Sequence, residues 1–383
     1  MTRIVRLSAC GALSALLAFA PVSASAQAPP APTSGVYSGP THISDARLTE
    51  NAAALAAQAA DPAMKRQATL PQDWTYALAP GVTTRQVSFY VDGGTRLQGT
   101  LFVPKDFNPK ARYPGLVVGH GINALAIGIE KYAARFAERG LVALAIDYQS
   151  YGFSDSGADE LLLLEPDTST DAAAVTRTRA RVRIKRTNLN NVEEVKAFRA
   201  AISWLQGEPG VDPDRIGVWG TSNAGTVLSA LVGVDGRIKA AVVHVMGTAP
   251  APLAAQDITG EALADAVTRV RTGQGAETGA GFSFQTNVDL WYRTRNRDIA
   301  PGAMWERARP TTPVLFLPAE RDELTGGNRS ALAGSALLTS RGVPSQVITF
   351  PGLTHFQPYS GTGFEVGSNL AADWYDRFLG GKK

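Results

Sequence analysis

The sequence predicts an α/β fold: a mostly parallel central sheet with helices on both faces and a cap built from two insertions. Three observations predict it. An opening hairpin pattern gives way to strand–helix alternation, the arrangement that parallel strands need for their crossovers. The later strands read as short, unbroken apolar runs, as expected for strands covered on both faces. Two stretches, about 155–190 and 248–311, are too long for simple connections within a compact domain and are expected to form the cap. A chain of 383 residues with 44% apolar and 19% charged content can bury a core of that size.

Residues 1–26 have the layout of a secretory signal peptide: Arg3 and Arg6, the uncharged apolar run from Ala9 to Ala20, and a small-x-small site at Ala24-Ser25-Ala26. That run is too short to anchor stably in a bilayer, so cleavage after Ala26 and export to the periplasm or medium are expected. Leu7-Ser8-Ala9-Cys10 looks like a lipoprotein box, but the apolar segment follows Cys10 instead of preceding it, so lipidation is not expected. Cys10, the only cysteine, would leave with the peptide, taking with it any disulfide, thiol nucleophile or cysteine metal site. The formal charge would fall from +3 to +1, with 35 basic residues against 34 acidic ones. So small a charge gives no reason to expect a nucleic-acid or membrane partner, and no later segment reads as a membrane span.

Residues 27–84 read as a leader and arm, rich in Pro, Ala and Ser to about residue 40, with a short helix at Ala52 to Ala60. The main domain is expected over 85–383. Gln86 to Val91 and Leu97 to Val103 alternate around Asp92-Gly93-Gly94, which predicts a β-hairpin. Gly115 to Gly119 is a buried strand, Ile129 to Arg139 an amphipathic helix stopped by Gly140, and Leu141 to Ile146 a second buried strand. Beyond the first insertion come a helix (192–205), a strand (215–219), a helix (224–232) and a strand (238–245). Beyond the second come a strand (314–317), a helix (330–339), a strand (345–350) and a closing helix (364–378).

The chemistry-bearing residues sit at the ends of these strands. Arg215 to Trp219 runs into Gly220-Thr221-Ser222-Asn223-Ala224-Gly225, a strand, sharp turn and helix that would lift Ser222 out of the backbone. Val117-Val118-Gly119-His120-Gly121-Ile122 is a strand entering a His-Gly loop. Of the four histidines, His42 lies before the core and His244 lies inside an apolar strand. His355 follows the strand Val347 to Phe350, in Pro351-Gly352-Leu353-Thr354-His355-Phe356. A serine hydroxyl needs such a base, because it is a poor nucleophile at neutral pH. Pro318-Ala319-Glu320-Arg321-Asp322-Glu323 follows the strand Pro313 to Leu317, between serine and histidine in chain order.

In this order the motifs resemble those of the α/β-hydrolase superfamily, over roughly residues 85–380. The segment around Ser222 resembles its nucleophile elbow, Gly-x-Ser-x-Gly, with Ala224 where the family usually has glycine. The His120-Gly121 loop resembles its oxyanion loop, and His355 the histidine after its last strand. Asp322 falls where the family has the aspartate of Gly-x-x-Asp, with Ala319 replacing the glycine. Asp147-Tyr148-Gln149-Ser150-Tyr151-Gly152-Phe153-Ser154 resembles the loop after its fourth strand. Within the superfamily the chain looks most like dienelactone-hydrolase-like and Xaa-Pro-dipeptidyl-peptidase-like bacterial esterases.

The resemblance implies Ser222 as nucleophile, His355 as general base and Asp322 as its orienting acid, with the backbone N–H groups of Ile122 and Asn223 as the oxyanion hole. Glu320 and Glu323 read as solvated loop charges. His120 reads first as a ring that fastens its loop; as a substrate contact it would stand with Tyr151 and Trp291. Phe282, Phe284, Trp291 and Tyr292 either line a pocket from the cap or form the cap's own small core. The run Arg177, Arg179, Arg181, Arg183, Lys185 and Arg186 is either a solvated cap surface or a guide for an anionic substrate.

No His-x-x-x-His pair, cysteine cluster or phosphate-binding Gly-rich loop is present, so no metal or other cofactor is expected. The expected function is an exported serine hydrolase that cleaves a small-molecule carboxylic ester through an acyl-enzyme. The alternatives are an exported peptidase or amidase on the same triad and a non-catalytic ligand-binding protein on a hydrolase scaffold.

Overall fold

Alternation of facing residues builds the first hairpin, β1 (Thr83–Val91) with β2 (Thr95–Val103), paired antiparallel from Thr83↔Val103 to Val91↔Thr95. A computed structural model of the chain describes residues 42–62, 75–91, 94–122, 124–156, 161–163, 181–184, 191–246, 267, 271–272, 312–325 and 328–380, all within the compact unit Tyr37–Lys383. Residues 1–26, Trp291 and the rest of the aromatic group in the second insertion lie outside the described residues.

The apolar runs become β3 (Tyr113–Gly119), β4 (Val142–Ile146), β7 (Val211–Thr221), β8 (Ile238–His244), β9 (Val314–Leu317) and β10 (Ser345–Val347). With the hairpin they form one eight-stranded sheet in the order β1-β2-β4-β3-β7-β8-β9-β10. Every pairing from β4 to β10 is parallel, and β2 alone runs against the rest, paired antiparallel with β1 on one side and β4 on the other. Between β4 and β7, β5 (Leu161–Leu163) and β6 (Val182–Ile184) make a small antiparallel pair within the first insertion.

Side chains alternate across each strand and feed two separate cores. On β4, Val142, Leu144 and Ile146 point into one, while Ala143 and Ala145 point into the other. The first core is closed by α4 (Asn191–Gln206), α5 (Asn223–Val234) and α6 (Arg329–Ser340); the second by α3 (Glu130–Glu138) and α7 (Gly361–Leu379). This is the predicted α/β architecture, with helices on both faces.

The arm holds two short helices, α1 (Ala46–Glu50) and α2 (Ala52–Ala60), and it is not a free leader. Leu55 is fully buried in the second core, and Arg47 forms a two-point ion pair with Asp373 of α7 at 2.6 and 3.0 Å. The Gln58 side chain bonds the carbonyls of Gln357 and Ser360 and the N–H of Gly363, and Gln357 returns a bond to the Gln58 carbonyl at 3.0 Å. The sequence shows the helix but not its docking, because an alanine-rich segment carries little directional pattern.

Candidate active site

Parallel strands end on one edge, so the loops after β3, β7, β9 and β10 gather there. Ser222 stands between β7 and α5 with φ 53° and ψ −119°, a left-handed backbone that side chains rarely adopt and that costs on the order of 1–3 kcal/mol. The turn is held from behind by the Ser222 N–H, which donates to the His244 carbonyl at 2.9 Å. A Cβ on Gly220 would lie 2.8 Å from the backbone of Ala224, so position 220 must be glycine for the turn to close. Ala224 is fully buried within the first core, which accommodates its methyl group.

The structure brings the three sequence-predicted polar residues into line. His355 Nε2 is 3.1 Å from Ser222 Oγ, and His355 Nδ1 is 2.8 Å from Asp322 Oδ2. His355 is 1% exposed and Asp322 is 4% exposed, so the pair is shielded from water. The other carboxylate oxygen of Asp322 accepts the N–H groups of Leu324 and Thr325 at 3.0 and 2.8 Å. With both oxygens used, the carboxylate has one orientation. The bond geometry serves the imidazole tautomer protonated on Nδ1, leaving Nε2 to accept from the serine hydroxyl.

Glu320 and Glu323 are exposed, as the sequence suggests, but they are not merely solvated. Glu323 Oε2 accepts the His355 N–H at 3.1 Å, and Glu320 Oε2 accepts the Gly352 N–H at 2.6 Å. The Arg321 N–H donates to the Leu353 carbonyl at 2.9 Å. The acid loop and the histidine loop are therefore stitched side by side. Behind them Gln357 Oε1 accepts the Thr354 N–H at 2.8 Å, which links the histidine loop to Gln58 of the arm.

Gly121 approaches the serine closely. A Cβ built on it would lie 2.9 Å from Ser222 Cβ and 3.4 Å from Ser222 Oγ. Ile122 follows it in a turn, and Asn223 opens α5 on the other side of Ser222. His120 is 1% exposed, and its Nδ1 lies 2.8 Å from the Gly121 carbonyl oxygen. Burial lowers its pKa to about 4, so the ring is neutral at physiological pH and makes no ion pair with Asp147, 4.0 Å away. Tyr148 packs on the ring at 4.2 Å and donates to the His120 carbonyl at 3.1 Å. These contacts make His120 a fastener of its loop; so enclosed a ring offers no face to a substrate. Tyr151 is half-buried, with its ring 5.4 Å from that of His120.

His244 is buried beneath the elbow. Thr221 Oγ1 bridges His244 Nδ1 at 2.9 Å and the Tyr359 hydroxyl at 2.5 Å. Burial, then the neighbouring His355 and Lys131, lower its pKa to about 3, so it stays neutral.

One buried acid was not singled out in the sequence. Glu194 of α4 is 5% exposed, and its Oε2 accepts a hydrogen bond from Asn223 Nδ2 at 2.7 Å. A signal for it exists: Glu194 shares an apolar stripe with Phe198, Ala201 and Leu205, and carboxylates seldom occupy such a stripe without a partner. Among the described residues no group of His, Cys, Asp and Glu is arranged to hold a metal ion, and no helix is long and apolar enough to cross a membrane.

Comparison with known proteins finds similar sequences and a similar fold. Residues 194–366 match a family model described as BAAT / Acyl-CoA thioester hydrolase C terminal. An uncharacterised Pseudomonas aeruginosa protein, PA2218, is 27% identical over 271 residues, or 70% of this chain and 57% of that protein. The Aspergillus aculeatus thiohydrolase aneE is 25% identical over 158 residues, or 41% of this chain and 40% of that enzyme. The chain thus spans about half the length of the curated relatives it matches. The crystal structure of PA2218 superposes with a TM-score of 0.56 at 20% identity, covering 82% of this chain and 99% of that one. That of the α/β hydrolase GrgF from a Penicillium species gives 0.53 at 17% identity, covering 78% and 99%.

Proposed function

We propose that this chain, which has the α/β-hydrolase fold, is a serine hydrolase cleaving a carboxylic ester or thioester of a small molecule through an acyl-enzyme. The observation that carries the reading is the hydrogen-bonded line from Ser222 Oγ through His355 to Asp322, at 3.1 and 2.8 Å, behind a strained elbow. Ser222 Oγ attacks the carbonyl carbon while its proton passes to His355 Nε2. Asp322 stabilises the imidazolium and holds its orientation. The N–H groups of Ile122 and Asn223 take up the oxyanion; each such donor is worth about 10²–10³ in rate. The tetrahedral intermediate then expels the alcohol or thiol, which leaves with the proton from His355. Water, deprotonated by the same histidine, releases the acid and restores Ser222.

The thioester is added to the ester because the matching family model and the thiohydrolase relative are both described by that bond. A thiolate is a better leaving group than an alkoxide, so the same groups suffice for it. Ser222→Ala should reduce turnover of p-nitrophenyl esters and acyl thioesters by roughly 10³-fold or more and abolish fluorophosphonate labelling. Retained turnover in a folded Ser222→Ala protein would overturn the assignment. The proposal includes export: mass spectrometry of protein secreted by a bacterial host should find a mature N-terminus at Gln27, and an uncleaved chain would remove that part.

A further inference from the structure

Helix α4 opens with two glutamates that meet different surroundings. Glu193 is bonded by Lys196 at 3.0 Å. Glu194 turns inward, and no cation pairs with it among the described residues. Its carboxylate oxygen faces the side-chain amide of Asn223, which donates to it at 2.7 Å and to Asn191 Oδ1 at 3.2 Å. Asn223 directly follows the nucleophile and begins α5. The side chain gripped by Glu194 thus belongs to the residue whose backbone N–H is proposed to bind the oxyanion.

Among the described residues, the groups facing Glu194 from the neighbouring elements carry no positive charge. From the loop after β4 comes the buried Tyr148 hydroxyl, whose acidity Glu194 influences, with Tyr151 and Asp147 beyond it. Behind Tyr148 stands the neutral ring of His120 from the loop after β3. From the elbow comes the Asn223 amide. Lys196, on the same helix, is engaged with Glu193.

We propose that Glu194 is a positioning residue for acyl transfer, its buried carboxyl anchoring the side chain of Asn223 beside the forming oxyanion. Burial pushes this carboxyl up to about 8, against the Asn223 hydrogen bond that draws it down. Below that pH the group is protonated and accepts from Asn223 without adding charge. As pH rises through it, a carboxylate appears one side chain away from the oxyanion, and the two like charges repel. The inference rests on Ser222 as nucleophile.

The test measures kcat, KM and the fluorophosphonate labelling rate from about pH 6 to about pH 10 for wild type, Glu194→Gln and Glu194→Ala. Wild type should lose roughly tenfold in kcat and in labelling rate above about pH 8. Glu194→Ala frees the Asn223 side chain and should lower kcat about tenfold at neutral pH with little change in KM. Glu194→Gln restores a neutral acceptor, so it should recover most of the neutral-pH rate while losing the alkaline fall. An alkaline fall undiminished in Glu194→Gln, or wild-type kcat in Glu194→Ala, would overturn the proposal. If Glu194→Ala does not fold, the Glu194→Gln profile decides alone. A wild type that neither labels nor turns over brings down the serine-hydrolase reading and this one together. A labelling wild type whose profile Glu194→Gln leaves unmoved brings down this one only.

Discussion

Gly121 and Ser222 nearly touch, and this contact limits what the site tolerates. A methyl at Gly121 would sit 2.9 Å from Ser222 Cβ, so Gly121→Ala must move either the nucleophile or the loop that carries Ile122. We expect kcat to fall by about tenfold or more while the melting temperature stays nearly unchanged, because a displacement near 1 Å is costly to alignment but not to the core. Asp322→Asn should be worse, on the order of 10⁴ in kcat, since an amide cannot hold the required tautomer of His355. Glu323→Gln preserves an acceptor for the His355 N–H and should cost only about threefold in kcat. At this scale the sequence is readable where the chemistry is local: Ser222, Asp322 and His355 each follow an apolar strand, in a recognisable order. Glu194, Glu320 and Glu323 are not readable in the same way, because their roles depend on partners across the fold that no spacing along the chain reveals.

At the scale of elements, the strands were readable because burial on both faces leaves an unbroken apolar run, and the helices because an apolar stripe recurs every three or four residues. The boundaries shifted where geometry outweighs pattern. β7 starts at Val211, before the apolar run, because Val211 and Asp212 already pair with Tyr113 and Pro114 ahead of an irregularity in register. β10 stops pairing regularly at Val347, yet its ladder continues through the N–H groups of Ile348 and Phe350 to the carbonyls of Phe316 and Pro318. The arm is the element whose sequence says least about its place. Its clasp on the turn before α7 runs through the Gln58 side chain, which makes three hydrogen bonds. Gln58→Ala should cost about 1–3 kcal/mol of stability by denaturant titration, since it removes three hydrogen bonds and takes the acceptor from the Gly363 N–H. It should also lower kcat, because Gln357 fixes the loop of His355. A variant with wild-type kcat and stability would show that the clasp is ornamental.

For the whole molecule, three buried groups shape how stability depends on pH. His120 and His244 fall from an ordinary 6.5 to about 4 and about 3, so the unfolded chain binds more protons than the native one as pH drops below 6.5. Their contribution is full above that value and is lost toward pH 4 and 3. Glu194 rises from 4.5 to about 8, so the native state holds the extra proton between those values, and its contribution fades as pH climbs toward 8. Two opposing slopes meet near pH 6.5. The melting temperature should therefore peak there, and Glu194→Gln should flatten the alkaline side and steepen the acid side between pH 4.5 and 6.5, which a pH series of thermal melts would check. The fold joins distant stretches of chain as well as opposing charges. Gln58 meets Gln357 across 299 residues, and His355 meets Ser222 across 133. Contacts that far apart form late, because long loops must close before any reward arrives. A newly made chain would thus remain chemically silent until its beginning and its end have met. After dilution from denaturant, ester turnover should return later than helical ellipticity, and the delay between them would time the closing of the chain.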